Sequence, residues 1–272
     1  METKFVYQEK NGLGVYQVPL FTKNGLTKHG FTTRKGGVSP YPFASLNLAF
    51  HTGDIDKNVR KNRELVSSAF DLDLANWVAG KQIHGDRIMV ITGEERGNGA
   101  KEYSTALEDT DALITNLSDV VLTSYCADCV TILLYDPRQK VIGIAHAGWR
   151  GTVERIGVKT LEKMQEVYGS SPKDCLIAIG PSIGPCCFEI DKKIVELWQK
   201  NFPNWPEVIR AKKPENWLIN LWETNRRQFL EIDVPAEKIT VSELCTFCGK
   251  DLFFSYRAEK GNTGRMAAFI SL

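Results

Sequence analysis

The chain has 272 residues, 43% hydrophobic and 25% charged, with 34 basic against 33 acidic side chains and a net charge of +1. That length supports a sizeable core, and the near-neutral balance gives no sign of a nucleic-acid partner or an acidic membrane surface. The stretch from Met1 to Lys10 lacks the apolar core of a secretion signal, and no run approaches the ~18 apolar residues of a membrane-spanning helix. The expectation is a cytoplasmic protein with no membrane partner. Its seven cysteines then read as reduced thiols, small buried hydrophobes or metal ligands rather than a disulfide frame.

Taken in order, residues 4–8 and 15–20 alternate around Asn11-Gly12 and predict a hairpin. Residues 29–33 read as a strand entering a turn at Gly36-Gly37, where backbone can approach a ligand closely and Arg34 offers a bidentate donor fork. The alternative there is a turn with a surface arginine. Residues 54–70 have Val59, Val66 and Phe70 near one face, with Asp54 or Asp56 as cap, and predict a helix. Strands follow at 87–92, 111–116 and 120–125, with a polar loop over 93–104. Two apolar strands then flank Asp136-Pro137. Paired as a hairpin, their open end brings Cys129 close to His146.

Residues 152–168 carry Val153, Ile156, Leu161, Met164 and Val167 on a helical period. A buried strand at 176–180, helices at 191–201 and 217–231 with a loop between them, a strand at 238–243 and a closing C-terminal strand complete the pattern. Hairpins mixed with crossovers predict an α/β fold: a single domain, 1–272, with a mixed β-sheet and helices on the outer faces.

His84, Cys126, Cys129 and His146 are potential metal ligands. Imidazole and thiolate together suit zinc, with copper as the soft-ligand competitor. All four would make a closed structural site; three plus a water would make an open catalytic one. If the preceding strand ends near Cys126, that side chain points into the core and leaves Cys129 free to bind. The bland alternative is a pair of core histidines and a turn of thiols, and a Cys129–histidine hydrolase dyad would use the same residues. A second C-x-x-C, Cys245 to Cys248, lies too far from Cys126 and Cys129 in sequence for a zinc ribbon, and Cys186-Cys187 reads as packing. The helix start after His146-Ala-Gly-Trp-Arg150-Gly is a plausible anion site without a Walker or dinucleotide pattern.

Taken together, Thr33-Arg34-Lys-Gly-Gly-Val-Ser39, Gln82-Ile-His84-Gly-Asp86, Ala-Asp-Cys129, His146-Ala-Gly-Trp-Arg-Gly, Gly180-Pro-Ser-Ile-Gly184-Pro-Cys and Phe-Ser255-Tyr-Arg257 through Gly264-Arg-Met266 resemble the YfiH/YlmD family. The resemblance runs from about residue 30 to the C-terminus, with each motif weak and the combination specific. It implies zinc on His84, Cys129 and His146. It implies a purine nucleoside phosphorylase, acting on adenosine, inosine, guanosine or methylthioadenosine with phosphate, accompanied by adenosine deaminase activity. The same family was long labelled a laccase-like multicopper polyphenol oxidase. The chain departs from the usual pattern at Cys126, where relatives often carry a non-ligating residue, and at Thr131, where a proline is common.

On this reading Asp128 carries protons and Arg150 and Arg34 hold phosphate, while Ser45, Asn47 and Gln82 contact the nucleoside. A copper-dependent oxidase is the runner-up, against which four histidines fall well short of a multicopper ligand set. A non-catalytic, zinc-stapled interaction protein follows if Cys126 closes the site.

Overall fold

The computed structural model describes residues 4–26 and 28–272; the first three residues of the N-terminal stretch considered above lie outside them. The N-terminal hairpin forms as the Asn-Gly signal dictates. Val6–Lys10 pairs antiparallel with Leu13–Gln17, and Asn11 and Gly12 both take positive φ (51° and 79°), the conformation of a two-residue turn that matches strand twist.

The expected mixed sheet is two six-stranded sheets and a small three-stranded one. The first has six strands in the order Val6–Lys10, Leu13–Gln17, His29–Thr32, Met266–Ile270, Val121–Cys126 and Trp77–Ala79. The second also has six, in the order Ile239–Val241, Leu176–Ile179, Val130–Asp136, Val141–Ala147, Ala112–Thr115 and Ile88–Val90. Each contains parallel and antiparallel pairs. The reason for the division lies in the strand cores. Leu133, Ile142, Ile144, Leu176 and Ala178 of the second sheet share one apolar cluster with Phe31, Leu122, Ala268 and Ile270 of the first. The two sheets therefore pack face to face.

Helices cover both outer faces. Val66 of helix Asp56–Ala69 packs with Val15, Val121 and Phe269. Ile156, Leu161 and Met164 of helix Ile156–Tyr168 and Phe229 of helix Leu221–Glu231 pack on Ile132, Leu134 and Ile177. Strands buried on both faces read as continuous apolar runs without alternation, which hides the number of sheets. No helix of the described residues is long and apolar enough to cross a membrane.

Three element predictions need correction. Trp217 lies in a strand, Asn216–Ile219, and the helix begins only at Leu221, where Asn220 accepts the Glu223 N–H at 3.0 Å as N-cap. The expected loop before it contains a strand, Ile209–Lys213, in a third small sheet with Glu189–Ile190. The helix expected over 152–168 is two: Trp149–Val153 and Ile156–Tyr168, divided where Arg155 takes φ 60°. Neither Asp54 nor Asp56 caps the 56–69 helix through its side chain; Asp54 instead binds Ser39 Oγ at 2.6 Å and Asn47 Nδ2 at 3.0 Å.

Candidate metal centre and substrate cavity

The central hairpin places the site. Val130–Asp136 and Val141–Ala147 pair with Thr131 opposite His146 and Val130 opposite Ala147. At the closed end, Asp136 Oδ1 accepts the N–H groups of Arg138 and Gln139 at 2.9 and 3.1 Å and fixes the turn. At the open end the chain bends at Asp128, with φ 85°, and Cys129 comes beside His146 and Gly148.

His84 arrives from a separate loop, and a buried carboxylate brings it there. Asp111 accepts the backbone N–H groups of Ile83, His84 and Gly85 at 3.1, 3.1 and 2.9 Å. Three successive amides around one carboxylate make an anion nest, and the nest holds His84 at φ 65°. Asp111 Oδ1 also meets His146 Nδ1 at 2.8 Å. With Nδ1–H given to Asp111, the His146 ring presents Nε2 to the site. Burial pulls the Asp111 pKa up, and the bonds from His146, Gly85 and Ile83 outweigh it, so the group stays ionised.

The ligand atoms of His84, Cys129 and His146 lie within 4.8 Å of one another, with the two imidazole centroids 4.9 Å apart. Burial alone would push the Cys129 thiol up; the adjacent His146 and His84 rings reverse that and bring it down to about 6. Thiolate and two imidazoles form a donor set that zinc accepts. Cys126 is absent from this group among the described residues. It pairs across the first sheet with Met266 and is 6% exposed, and burial pushes its thiol up to about 12. The fully protein-closed version of this site has no fourth cysteine.

Above the three ligands opens a cavity of about 440 Å³, within the range that binds small molecules. Gln82, His84, Asp128, Cys129 and His146 line it, together with His51, Tyr125, Phe188, Tyr256, Arg257 and Arg265. Gln82 is pinned by a two-way amide pairing with Tyr125, Nε2 to O at 2.9 Å and N to Oε1 at 2.8 Å. Asp128 Oδ1 accepts Thr246 Oγ1–H at 2.6 Å and Oδ2 accepts the Arg257 N–H at 2.7 Å. It therefore ties the late loop to the central hairpin.

Four predicted residues do not line this cavity. Arg34 spends its guanidinium on the carbonyls of Ala44 and Lys250 and on Glu259, at 3.0, 2.9 and 3.1 Å, and stacks on Phe254. Ser45 Oγ accepts the Gly37 N–H and donates to Arg34 O. Asn47 is buried, and its Oδ1 accepts the Arg265 N–H at 2.9 Å. Arg150 is exposed and stacks on Trp149, on a helix too short to build an anion site. The Gly-Gly loop is thus a brace beneath the cavity wall, with Asn47 its link to the site.

Sequence reasoning missed Asp111, His51 and Arg265 as site residues. Asp111 had a faint signal, an acid at the mouth of an apolar strand. His51 is exposed at the cavity mouth; the protein around its ring and the nearby charges of Arg265 and Arg63 hold its pKa below the ordinary histidine value, which favours the neutral imidazole. Arg265 Nη1 donates to the carbonyls of Thr263 and Gly264 at 2.7 and 3.0 Å. Cys187 packs against the core as expected, while Cys186 is exposed; the two also converge with Cys245 and Cys248 within 4.8 Å.

Residues 28–272 match a family model described as "Multi-copper polyphenol oxidoreductase laccase". The chain is 40% identical over 243 residues to "Purine nucleoside phosphorylase YlmD" of Bacillus subtilis (strain 168), covering 89% of this chain and 87% of that protein. It is 34% identical over 245 residues to "Purine nucleoside phosphorylase" of Bacteroides thetaiotaomicron, covering 90% and 91%. Among solved structures, YlmD from Geobacillus stearothermophilus superposes with a TM-score of 0.92 at 40% identity over 97% of each chain. The Bacillus licheniformis hypothetical protein YfiH superposes with a TM-score of 0.92 at 36% identity over 98% of each.

Proposed function

The chain belongs to the YfiH/YlmD family, and from that premise we propose that it is a purine nucleoside phosphorylase with a zinc ion on His84, Cys129 and His146. The observation that carries this reading is the juxtaposition of a three-ligand donor set with a cavity of nucleoside size. Relatives named purine nucleoside phosphorylase supply the reaction class. Adenosine, inosine, guanosine and methylthioadenosine are the substrates, with phosphate as co-substrate, and adenosine deamination is the accompanying activity. Residues 1–272 act as one cytoplasmic domain.

The chain's own groups divide the work. Tyr256, which is 55% exposed at the cavity rim, and Phe188 offer aromatic faces to the purine. Neutral His51 can donate to or accept from a nucleoside hydroxyl. Arg265, with Arg257 beside it, takes the phosphate role expected of Arg34 and Arg150, because these are the arginines that line the cavity. Holding phosphate against the ribose C1′ supplies positioning and charge stabilisation, the main needs of phosphorolysis. Asp128 is the carboxylate among the described cavity-lining residues, and it is the group we assign to proton transfer. Zinc on the three ligands supplies Lewis acidity, the chemistry that deamination at purine C6 requires.

A multicopper oxidase would need many more imidazoles. Of the four histidines, His29 is buried away from the cavity, where its Nε2 accepts the Val18 N–H at 2.9 Å. The test is inosine with zinc-loaded protein and either phosphate or arsenate. Hypoxanthine release that depends on the added oxyanion is expected; no release from zinc-loaded protein sinks the phosphorylase reading. His84→Ala should lose the zinc of this centre and activity together, and full activity in a variant whose His84–Cys129–His146 centre is empty would remove zinc from catalysis.

A further inference from the structure

Two loops that wall the cavity carry four cysteines into one cluster. Cys186 and Cys187 follow the strand Leu176–Ile179; Cys245 and Cys248 follow Ile239–Val241, its parallel neighbour. Cys248 Sγ lies 3.6 Å from Cys186 Sγ and 3.4 Å from Cys187 Sγ, and all four sulfurs fall within 4.8 Å of one another. Bonded sulfurs stand about 2.05 Å apart. Sulfurs at the corners of a tetrahedron with Zn–S of about 2.3 Å stand roughly 3.8 Å apart. The cluster has the second spacing, with room for one ion among the sulfurs.

One backbone bond in the cluster favours thiolate, at Cys245. Gly184 N–H donates to Cys245 Sγ at 3.2 Å, a bond that stabilises sulfur in its charged form. The two loops are laced together on either side: Ser182 N–H donates to Leu244 O at 3.2 Å and Thr246 N–H to Ser182 O at 3.0 Å. Gly184 is tightly placed, since a Cβ there would stand 3.1 Å from Cys245 Cβ. Cys186 and Cys248 are exposed, so an ion can enter from solvent.

We propose that Cys186, Cys187, Cys245 and Cys248 form a closed, four-thiolate structural zinc site that clamps the two loops of the cavity wall. Four thiolates in a tetrahedron select a thiophilic ion and leave no open coordination position, unlike the His84–Cys129–His146 group. The clamp is adjacent to the cavity in sequence and in space. Phe188 follows Cys187 and lines the cavity. Thr246 sits between Cys245 and Cys248 and donates to Asp128 at 2.6 Å. The ion would hold that donor, and through it Asp128, against the central hairpin. This inference is independent of the reaction the cavity performs.

The test uses the full chain, produced with zinc and kept reduced. Native mass spectrometry and elemental analysis of the wild type should give two zinc ions per chain, and His84→Ala should keep one. Zinc X-ray absorption of that variant should show an all-sulfur shell, and Cys245→Ser/Cys248→Ser should lose this ion selectively. The proposal is overturned if the His84→Ala chain holds no zinc, if its zinc sees nitrogen or oxygen ligands, or if the intact mass shows the four thiols paired as disulfides. Because His84→Ala leaves all four thiols in place, it decides the matter even if the double serine variant fails to fold.

Discussion

Asp111 and His146 face each other across a 2.8 Å hydrogen bond in which both side chains are buried, 0% and 3% exposed. The same carboxylate receives the backbone amides of the loop that carries His84. One side chain therefore sets the tautomer of one metal ligand and the position of another.

Asp111→Asn should accordingly weaken the centre without touching a ligand atom. An amide turns one of its two faces into a donor, and it would meet an N–H of the His84 loop. Loss of such a supporting partner costs about 10- to 100-fold in metal affinity or activity. Competition with a calibrated chelator measures it, with thermal unfolding as a separate readout of stability. Wild-type affinity in the variant would show that Asp111 merely fills space.

Gly148→Ala tests how tightly the centre is built. A Cβ at this position would stand 3.1 Å from Cys129 Sγ and 3.1 Å from His84 Cδ2. The backbone itself has no objection, since φ is −58°. The added methyl acts only through crowding, which costs roughly 1–3 kcal/mol in a well-packed site. The expected result is weaker metal retention with unchanged secondary structure. Undiminished zinc content under dialysis against chelator would argue that the ligands stand further apart than they do here.

Much of this centre was legible before the fold. Two apolar runs joined by a short turn at Asp136-Pro137 were enough to place Cys129 beside His146, because the turn of a hairpin sets its register. The division of labour between Cys126 and Cys129 followed from where a strand ends. What the chain order concealed were the supporting relationships made by crossovers. Asp111 reaches His84 across 27 residues, and Cys186 meets Cys248 across 62. Pattern reading also placed Arg34 in the site because a fork beside two glycines looks like a ligand clamp. Its donors instead close a loop onto Glu259 and neighbouring carbonyls, a use that spacing cannot distinguish from anion binding.

Arg265 should govern phosphate rather than nucleoside. It lines the cavity while its backbone N–H is fixed by Asn47 Oδ1 at 2.9 Å. Arg265→Gln removes the charge, and a hydrogen bond to a charged group contributes about 1.5–3 kcal/mol, or roughly 10- to 100-fold in affinity. The KM for phosphate should rise by that factor while the KM for inosine stays nearly constant. Arg265→Lys should recover only part of the loss, because the ammonium lacks the planar fork. Equal effects on both substrates would assign Arg265 to the cavity's shape alone.

Acid should destabilise the chain through His29, far from the chemistry. The ring is 0% exposed, and burial lowers its pKa from 6.5 to about 4 against the smaller, raising influence of its backbone bonds. Its Nε2 accepts the Val18 N–H at 2.9 Å, which a protonated ring could not do. Between pH 6.5 and 4 the unfolded chain therefore holds a proton that the folded chain refuses. Stability is fully present above pH 6.5, falls as pH drops toward 4, and is level below it with respect to this group. A shift of that size corresponds to roughly 3 kcal/mol. His51, lowered in the same direction, adds to the slope, so the informative quantity is a difference. His29→Gln keeps an acceptor for Val18 and removes the titration. Denaturant unfolding at pH 6.5 and 4.5 should show a shallower loss in the variant than in the wild type. Parallel losses would mean that His29 takes up its proton without leaving the folded state.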